Sequence, residues 1–195
     1  MIITVYNIKG GVGKTRIALN LGLTMGFAII TNETYIPTIQ KILSDDRYLQ
    51  LDDNQDINPI LKNVADKDVI FDFGGKIDKR LKNIFKESKW VVVPLTYDYD
   101  EIASTIGIVQ EIEDYTKKIV FVANRTEKGD YERIKEAIKD HYDYTVFEIK
   151  KSRALPNITN EGKSIKDMTI NDGLKRHSYK LIVNQFDELI KYLNG

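Results

Sequence analysis

Seven consecutive residues, Lys9-Gly10-Gly11-Val12-Gly13-Lys14-Thr15, bring together two cations, three glycines and a hydroxyl. They follow an apolar run, Ile2–Ile8, and precede a helix-like pattern. Strand, glycine loop and helix, in that order, are what a phosphate cradle requires. The glycines let the backbone turn so that several N–H groups converge on phosphate oxygens, and the helix adds its positive N-terminal end. In such a cradle Gly10, Gly11, Val12 and Gly13 supply the backbone. Lys14 neutralises the outer phosphates, and the Thr15 hydroxyl joins the shell of a Mg²⁺ ion. A second candidate is Asp72, which closes the apolar run Val69–Phe73 and is followed by Gly74-Gly75. A carboxylate at that strand end, facing the loop, can hold the water shell of the Mg²⁺, and the glycines let the chain respond to a terminal phosphate. A strand-end aspartate that only caps a turn is the simpler alternative.

The loop departs from the general G-x-x-x-x-G-K-[ST] pattern, because Ile8 stands where its first glycine belongs. What remains, K-G-G-V-G-K-T with a lysine at its head, resembles the deviant Walker A box of the ParA/MinD family of ATPases. The resemblance implies binding of ATP and ADP with Mg²⁺, slow partner-stimulated hydrolysis, and an ATP-dependent homodimer. It implies that Lys9 reaches across that dimer to the nucleotide of the other subunit, so that Lys9, Lys14 and Asp72 form the catalytic set. It also implies that Asn124, at the end of the run Ile119–Asn124, contacts the adenine ring beside Arg125. An amide carries a donor and an acceptor side by side, which suits that edge, although a plain polar strand end reads almost as well. Arg16 stands where a second threonine is common in the family, and it either touches phosphate or solvates the helix start.

The likeness continues through Lys151–Pro156 and Glu161–Ile165 to an amphipathic last helix, and so spans most of the chain. One departure bears on mechanism. Family members carry an aspartate after the second strand that helps orient the attacking water, and the matching position here is Asn32, a neutral amide, followed by Glu33 and Thr34, with Glu33 as the alternative carboxylate of different reach. Nucleotide binding is unaffected by this change, whereas hydrolysis is placed in question.

Composition sets outer limits. With 195 residues, 42% hydrophobic and 30% charged, the chain suits one folded domain over 1–195 with a full core. It has no cysteine, which removes disulfides, thiolate zinc sites and cysteine-held iron–sulfur clusters, including those of family relatives that carry the same box. No apolar run reaches the length of a membrane span, and the expected compartment is the cytoplasm, on the nucleoid.

To hold the loop, the chain needs a sheet. Apolar, β-branched runs at 27–31, 69–73, 90–95 and 119–124, with a weaker one at 145–149, read as strands covered on both faces. Helical patterns alternate with them. Ile102, Ile106, Val109 and Ile112 share one face, as do Ile134, Ala137 and Ile138, and as do Leu174, Leu181, Phe186, Leu189, Ile190 and Leu193 in the last helix. The expected fold class is therefore α/β. It is a single-domain P-loop NTPase with a mostly parallel twisted sheet, helices on both faces and the glycine loop at the carboxyl edge. The aspartate-rich stretch Ser44–Asp56 reads as a solvated loop or short helix, with no calcium-loop spacing, and His141 and His177 read as surface residues.

Net charge is zero overall, but the stretch from Lys150 to Lys180 holds eight basic residues against three acidic ones. Lys150, Lys151, Arg153, Lys163, Lys166, Lys175 and Arg176 are candidates for a footprint on nonspecific DNA, as the likeness to partition ATPases implies. The implied function is plasmid or chromosome partition with a centromere-binding, ParB-like adaptor and no membrane. Two other readings stay open. One is a MinD-like membrane cycle, disfavoured by a last helix that ends without a basic tail. The other is a nucleotide-dependent scaffold that hardly hydrolyses.

Overall fold

The computed structural model describes residues 1–33, 37–74 and 78–195. Gly75, one of the two glycines expected to respond to phosphate, and Thr34 lie outside the described residues. The element order is β1 (Ile2–Asn7), α1 (Lys14–Met25), β2 (Ala28–Thr31), α2 (Pro37–Ile42), β3 (Tyr48–Gln50), α3 (Asn58–Val64), β4 (Val69–Gly74), α4 (Leu81–Glu87), β5 (Trp90–Leu95), α5 (Tyr99–Glu113), β6 (Ile119–Thr126), α6 (Asp130–Lys139), β7 (Val146–Lys150), α7 (Ala154–Glu161), α8 (Ile165–Ile170) and α9 (Gly173–Asn194). The strands form one sheet in the order β3-β2-β4-β1-β5-β6-β7, and every pairing is parallel.

Both faces of the sheet are covered, which is why its strands read as continuous apolar runs. On one side Phe71, Phe73 and Phe121 pack with Leu61, Ile84, Phe85, Ile112, Ile134 and Ile138, from α3 through α6. On the other, Ile3, Val5, Ile70 and Val92 pack with Ile17, Leu21, Leu155, Ile165, Phe186 and Leu189, from α1 and α7 through α9. Helix α1 is buried nearly all round because it lies between the sheet and α7–α8. It ends at Gly26, whose φ of 79° suits glycine alone, and the Arg47 guanidinium donates to the Gly22 and Phe27 carbonyls at that end, each at 3.0 Å.

Two expectations are corrected. The stretch 44–56 keeps the expected short helix and solvated loop but also holds a strand. It holds a single 3₁₀ turn at Asp45–Arg47 and then the edge strand β3, which pairs with β2 through Ile29–Tyr48 to Thr31–Gln50. Three residues are too few to show a period, and pairing rather than hydrophobicity makes them a strand. The stripe expected along α9 is also displaced at its start. Leu174 is 86% exposed and Leu181 50%, while Tyr179, Ile182, Gln185, Phe186, Leu189 and Leu193 are buried. Polar Gln185 belongs inside because it donates to Glu148 and accepts from the Lys150 N–H.

The two halves of α9 should therefore respond differently to truncation. Leu189→Ala, at a fully buried position, is expected to lower stability by about 2–5 kcal/mol in urea denaturation. Leu174→Ala should stay within about 0.5 kcal/mol of the parent chain.

Candidate functional site

The carboxyl ends of β1, β2 and β4 set the site. In register, Asp72 lies beside Val5 on one neighbour and Thr31 on the other, at the last residue of β2 and two residues before β1 and β4 end. Asn7, the last residue of β1, anchors the loop that follows. Its buried amide donates to the Pro94 carbonyl at 2.8 Å and to the Thr105 hydroxyl at 3.0 Å, and its oxygen accepts the Lys9 N–H at 3.0 Å. The motif pattern did not single out Asn7. A polar residue closing an otherwise apolar strand was the available signal.

The loop turns through Gly11 and Gly13, with φ of 82° and 96°. Gly13 caps α1 with no side-chain hydrogen bond, and the first turn of α1 carries no acid. The helix N-terminus is thus left open to an anion. Lys14 is only 7% exposed, and its ammonium donates to the Lys9 carbonyl at 2.7 Å across the mouth of the loop. Gly74 leaves room for it, since a Cβ there would come within 2.1 Å of Lys14 Cε. Burial pushes the Lys14 pKa down, while Asp72 and Glu33 pull it back up.

Asp72 is 1% exposed, and neither carboxylate oxygen has a hydrogen-bond partner among the described residues. Burial raises its pKa from 3.8 to about 6, against the opposing pull of the Thr15 hydroxyl and Lys14, and Glu33 adds to the rise. A buried carboxylate with both oxygens free, beside a threonine hydroxyl, fits the water shell of a hard divalent cation. No cluster of three or more metal-ligating side chains occurs among the described residues. An ion held here would take most of its ligands from phosphate and water, as Mg²⁺ prefers.

Two cavities flank the loop and share Gly13 and Arg16. One, of about 260 Å³, is lined by Gly10, Gly11, Gly13, Lys14, Thr15, Arg16 and Glu33. The other, of about 370 Å³, is bordered by Asn124, Arg125, Lys151, Arg153, Leu155 and Pro156. The structure thus gathers Lys14, Thr15, Asp72, Asn124 and Arg125 around one loop, although 110 residues separate Lys14 from Asn124. Asn124 is buried, its amide N–H₂ donates to the Val12 carbonyl at 2.8 Å, and its oxygen is unpartnered. A bulge between Asn124 and Thr126 throws Arg125 outward with φ of 55°. A non-glycine residue held in that region commonly marks a site under functional constraint.

The remaining candidates are distributed differently. Asn32 is tied up, accepting the Gly74 N–H at 3.3 Å and donating to Asp78 at 3.4 Å. Among the basic candidates, Lys151 pairs with Glu127, Lys166 with Asp187, and Lys175 with Glu161 and Asp172. Arg176 donates to the Thr169 and Ile170 carbonyls. Lys150, Arg153 and Lys163 are exposed and form no ion pair among the described residues, and Lys151 and Arg153 also border the larger cavity. His141 and His177 are exposed, as read from the sequence.

No protein-family model and no curated protein matches this sequence. Solved structures do. The chain is similar along 100% of its length to 99% of apo McdA from Cyanothece, with a TM-score of 0.73 and 17% identity. It covers 98% of the septum site-determining protein MinD of Pyrococcus horikoshii OT3 complexed with Mg-ADP, with TM-score 0.69 and 15% identity. A ParA family ATPase from Chlorobium tepidum TLS matches 93% of the chain and 97% of its own length, with TM-score 0.60 and 13% identity. The fold is that of the P-loop NTPases of the ParA and MinD type, and within it the K-G-G-V-G-K-T loop joins β1 to α1.

The raised pKa of Asp72 fixes a sign. The native chain holds this proton up to about pH 6, the unfolded chain only to about pH 4. Native stability therefore falls as pH rises through that window and stays lowered above it. Asp72→Asn should raise the stability of the nucleotide-free protein at pH 7 by about 2–3 kcal/mol in urea denaturation, with the gain fading as pH approaches 4.

Proposed function

We propose that this protein is a Mg²⁺-dependent ATPase of the ParA/MinD family that works as an ATP-dependent homodimer to partition DNA. One observation carries the reading. Asp72 lies buried with both carboxylate oxygens free, against the loop lysine Lys14 and the Thr15 hydroxyl, under a K-G-G-V-G-K-T loop. Such an arrangement suits a metal-bound triphosphate and has no structural use of its own. Mg²⁺ supplies charge neutralisation on the outer phosphates. Lys14 binds them, the loop N–H groups orient them, and Thr15 with Asp72 holds the ion and its water.

The base enters the larger cavity. Leu155 and Pro156 give it an apolar wall, and Arg16 spans the way to the phosphates. One Asn124 N–H is spent on the Val12 carbonyl and the buried oxygen is free, so that oxygen asks for a donor, which the adenine amino group provides and a keto group does not. ATP should bind about tenfold or more tightly than ITP in a fluorescence competition assay, and Asn124→Ala should erase that preference.

Lys9 heads the loop, half-buried and free of ion pairs among the described residues, and is available to a nucleotide held by a second copy. Its role in trans follows from the deviant box, and charge supplied in this way contributes roughly 10³–10⁵ in rate in related phosphoryl transfer. Lys150, Arg153 and Lys163 are the least encumbered candidates for DNA phosphates. The cycle then runs from ATP-bound dimer on nonspecific DNA to hydrolysis and release, stimulated by a centromere-binding, ParB-like adaptor. The expected place of action is the nucleoid in the cytoplasm.

A second reading, cycling on a membrane surface, is favoured by Ile170, Leu174 and Leu181, which stand exposed among lysines. Sedimentation and DNA retention with ATP, ADP and no nucleotide test both. Wild type should dimerise and retain DNA with ATP alone, and Lys9→Ala should weaken both. Equal retention in all three conditions, with ATP-dependent flotation on anionic liposomes, would favour the membrane instead.

A further inference from the structure

On the sheet face opposite α1, between α4 and α5, lies a separate cavity of about 170 Å³. Tyr6 of β1 forms its floor. Leu81 and Phe85 from α4 and Ile108 and Ile112 from α5 form its walls. The Phe85 ring meets the Tyr6 ring edge-on, with centroids 5.4 Å apart.

Tyr6 is the unusual member. It is 2% exposed, and its hydroxyl makes no hydrogen bond among the described residues. Other tyrosines on this side of the sheet are served. Tyr131 and Tyr142 donate to the Val146 and Ile106 carbonyls, and Tyr144 donates to the Glu113 carboxylate. A buried phenol ordinarily finds a partner, and one left without opposes folding. The Tyr6 hydroxyl is thus a polar point in an apolar chamber, open to a group that a ligand brings.

Size and charge narrow the ligand class. An apolar cavity of roughly 150 Å³ accommodates one benzene ring, so this one suits a single ring with a small substituent. Burial pushes the Tyr6 pKa up from 10.0 to about 12, and Glu111 and Asp78 add to the rise. The hydroxyl therefore stays neutral, and the field around it opposes an anion. A cation is no better served. Arg80 already neutralises Asp78, its Nε donating at 2.8 and 3.0 Å, and the exposed Lys79 and Lys82 share the mouth with Glu111 and Tyr115. A neutral ring with one hydroxyl meets both limits, its ring against Phe85 and the isoleucines and its hydroxyl paired with Tyr6.

Hydrogen bonds join this cavity to the glycine loop. Asp78 accepts from the Asn32 amide at 3.4 Å, and the Asn32 oxygen accepts the Gly74 N–H at 3.3 Å, beside Lys14. Tyr6 directly precedes Asn7, whose side chain braces the loop. A ligand that shifts Tyr6 or Asp78 bears on the cradle through these contacts.

We propose that this cavity is a second ligand site, taking a neutral single-ring aromatic molecule of the phenol class, and that its occupant alters nucleotide affinity at the glycine loop. The site stands on its own geometry, and the effect on nucleotide rests on the ATPase reading above.

The test uses the full chain and the probes p-cresol, toluene, benzoate and benzylammonium, with binding read by ligand-observed NMR titration and folding by thermal melts. Wild type should bind p-cresol about threefold or more tightly than toluene, as one hydrogen bond allows, and about tenfold or more tightly than either ion. Tyr6→Phe should bind p-cresol and toluene alike. Ile108→Phe, which narrows the chamber, should weaken p-cresol about tenfold even if Tyr6→Phe melts early. In wild type, saturating p-cresol should change the affinity of a fluorescent ATP analogue about threefold or more in either direction, and in Ile108→Phe it should not. Absence of p-cresol binding at millimolar concentration, equal affinity for toluene, or a preference for either ion overturns the site. So does a p-cresol preference that Tyr6→Phe leaves intact. Binding of p-cresol with no change in the analogue overturns the link to the loop alone. An analogue that fails to bind with or without p-cresol overturns the nucleotide reading and leaves the site standing.

Discussion

Two opposite charges, Lys14 and Asp72, are taken out of water beneath a glycine loop, and the rest of the architecture serves to keep them there. Neither is fully compensated within the chain. The ammonium reaches only the Lys9 carbonyl, and the carboxylate oxygens have no partner among the described residues. Such burial opposes folding, and the sheet and helices around it must offset the penalty. A chain that maintains this arrangement keeps a buried cation and a buried carboxylate short of partners beneath one loop.

The means of maintaining it are distributed. Parallel pairing on both sides of β4 fixes the height of Asp72 against β1 and β2. Asn7 ties the loop to β5 and α5, and Asn124 ties it to β6, so the cradle is braced on two sides by buried amides. Arg47 secures the far end of α1, whose near end is the open N-terminus of the cradle. Gly13 and Gly74 contribute by having no side chain where Asn124 and Lys14 need the space. Loop, flanking cavity and acid edge are thus parts of one braced unit.

Much of this could be read from residues. The loop, Asp72 and Asn124 each close or follow an apolar run, and runs buried on both faces can hardly be anything but interior strands. What escaped was short or indirect. β3 has three residues and owes its state to pairing with β2. The start of α9 keeps the helical spacing of leucines, yet faces outward, because spacing defines a stripe and not what covers it. Asn7 and Gln185 are polar side chains inside the fold, and their use depends on partners distant in sequence. The basic stretch after Lys150 looked like one footprint, whereas several of its members are engaged by acids or carbonyls brought near by folding.

By itself the sequence determined the chemistry on offer, a phosphate loop with two lysines and a strand-end aspartate, together with the alternating order of strands and helices. Those follow from local spacing and from backbone freedom at glycine, which neighbours along the chain suffice to set. Only the tertiary structure decided which acid faces the cradle and which is locked away. Asn32, Glu33 and Asp78 are all polar residues near strand ends. Their difference lies in partners such as Gly74, Thr31 and Arg80, and in the two cavities that meet at Gly13 and Arg16, of which Glu33 lines one.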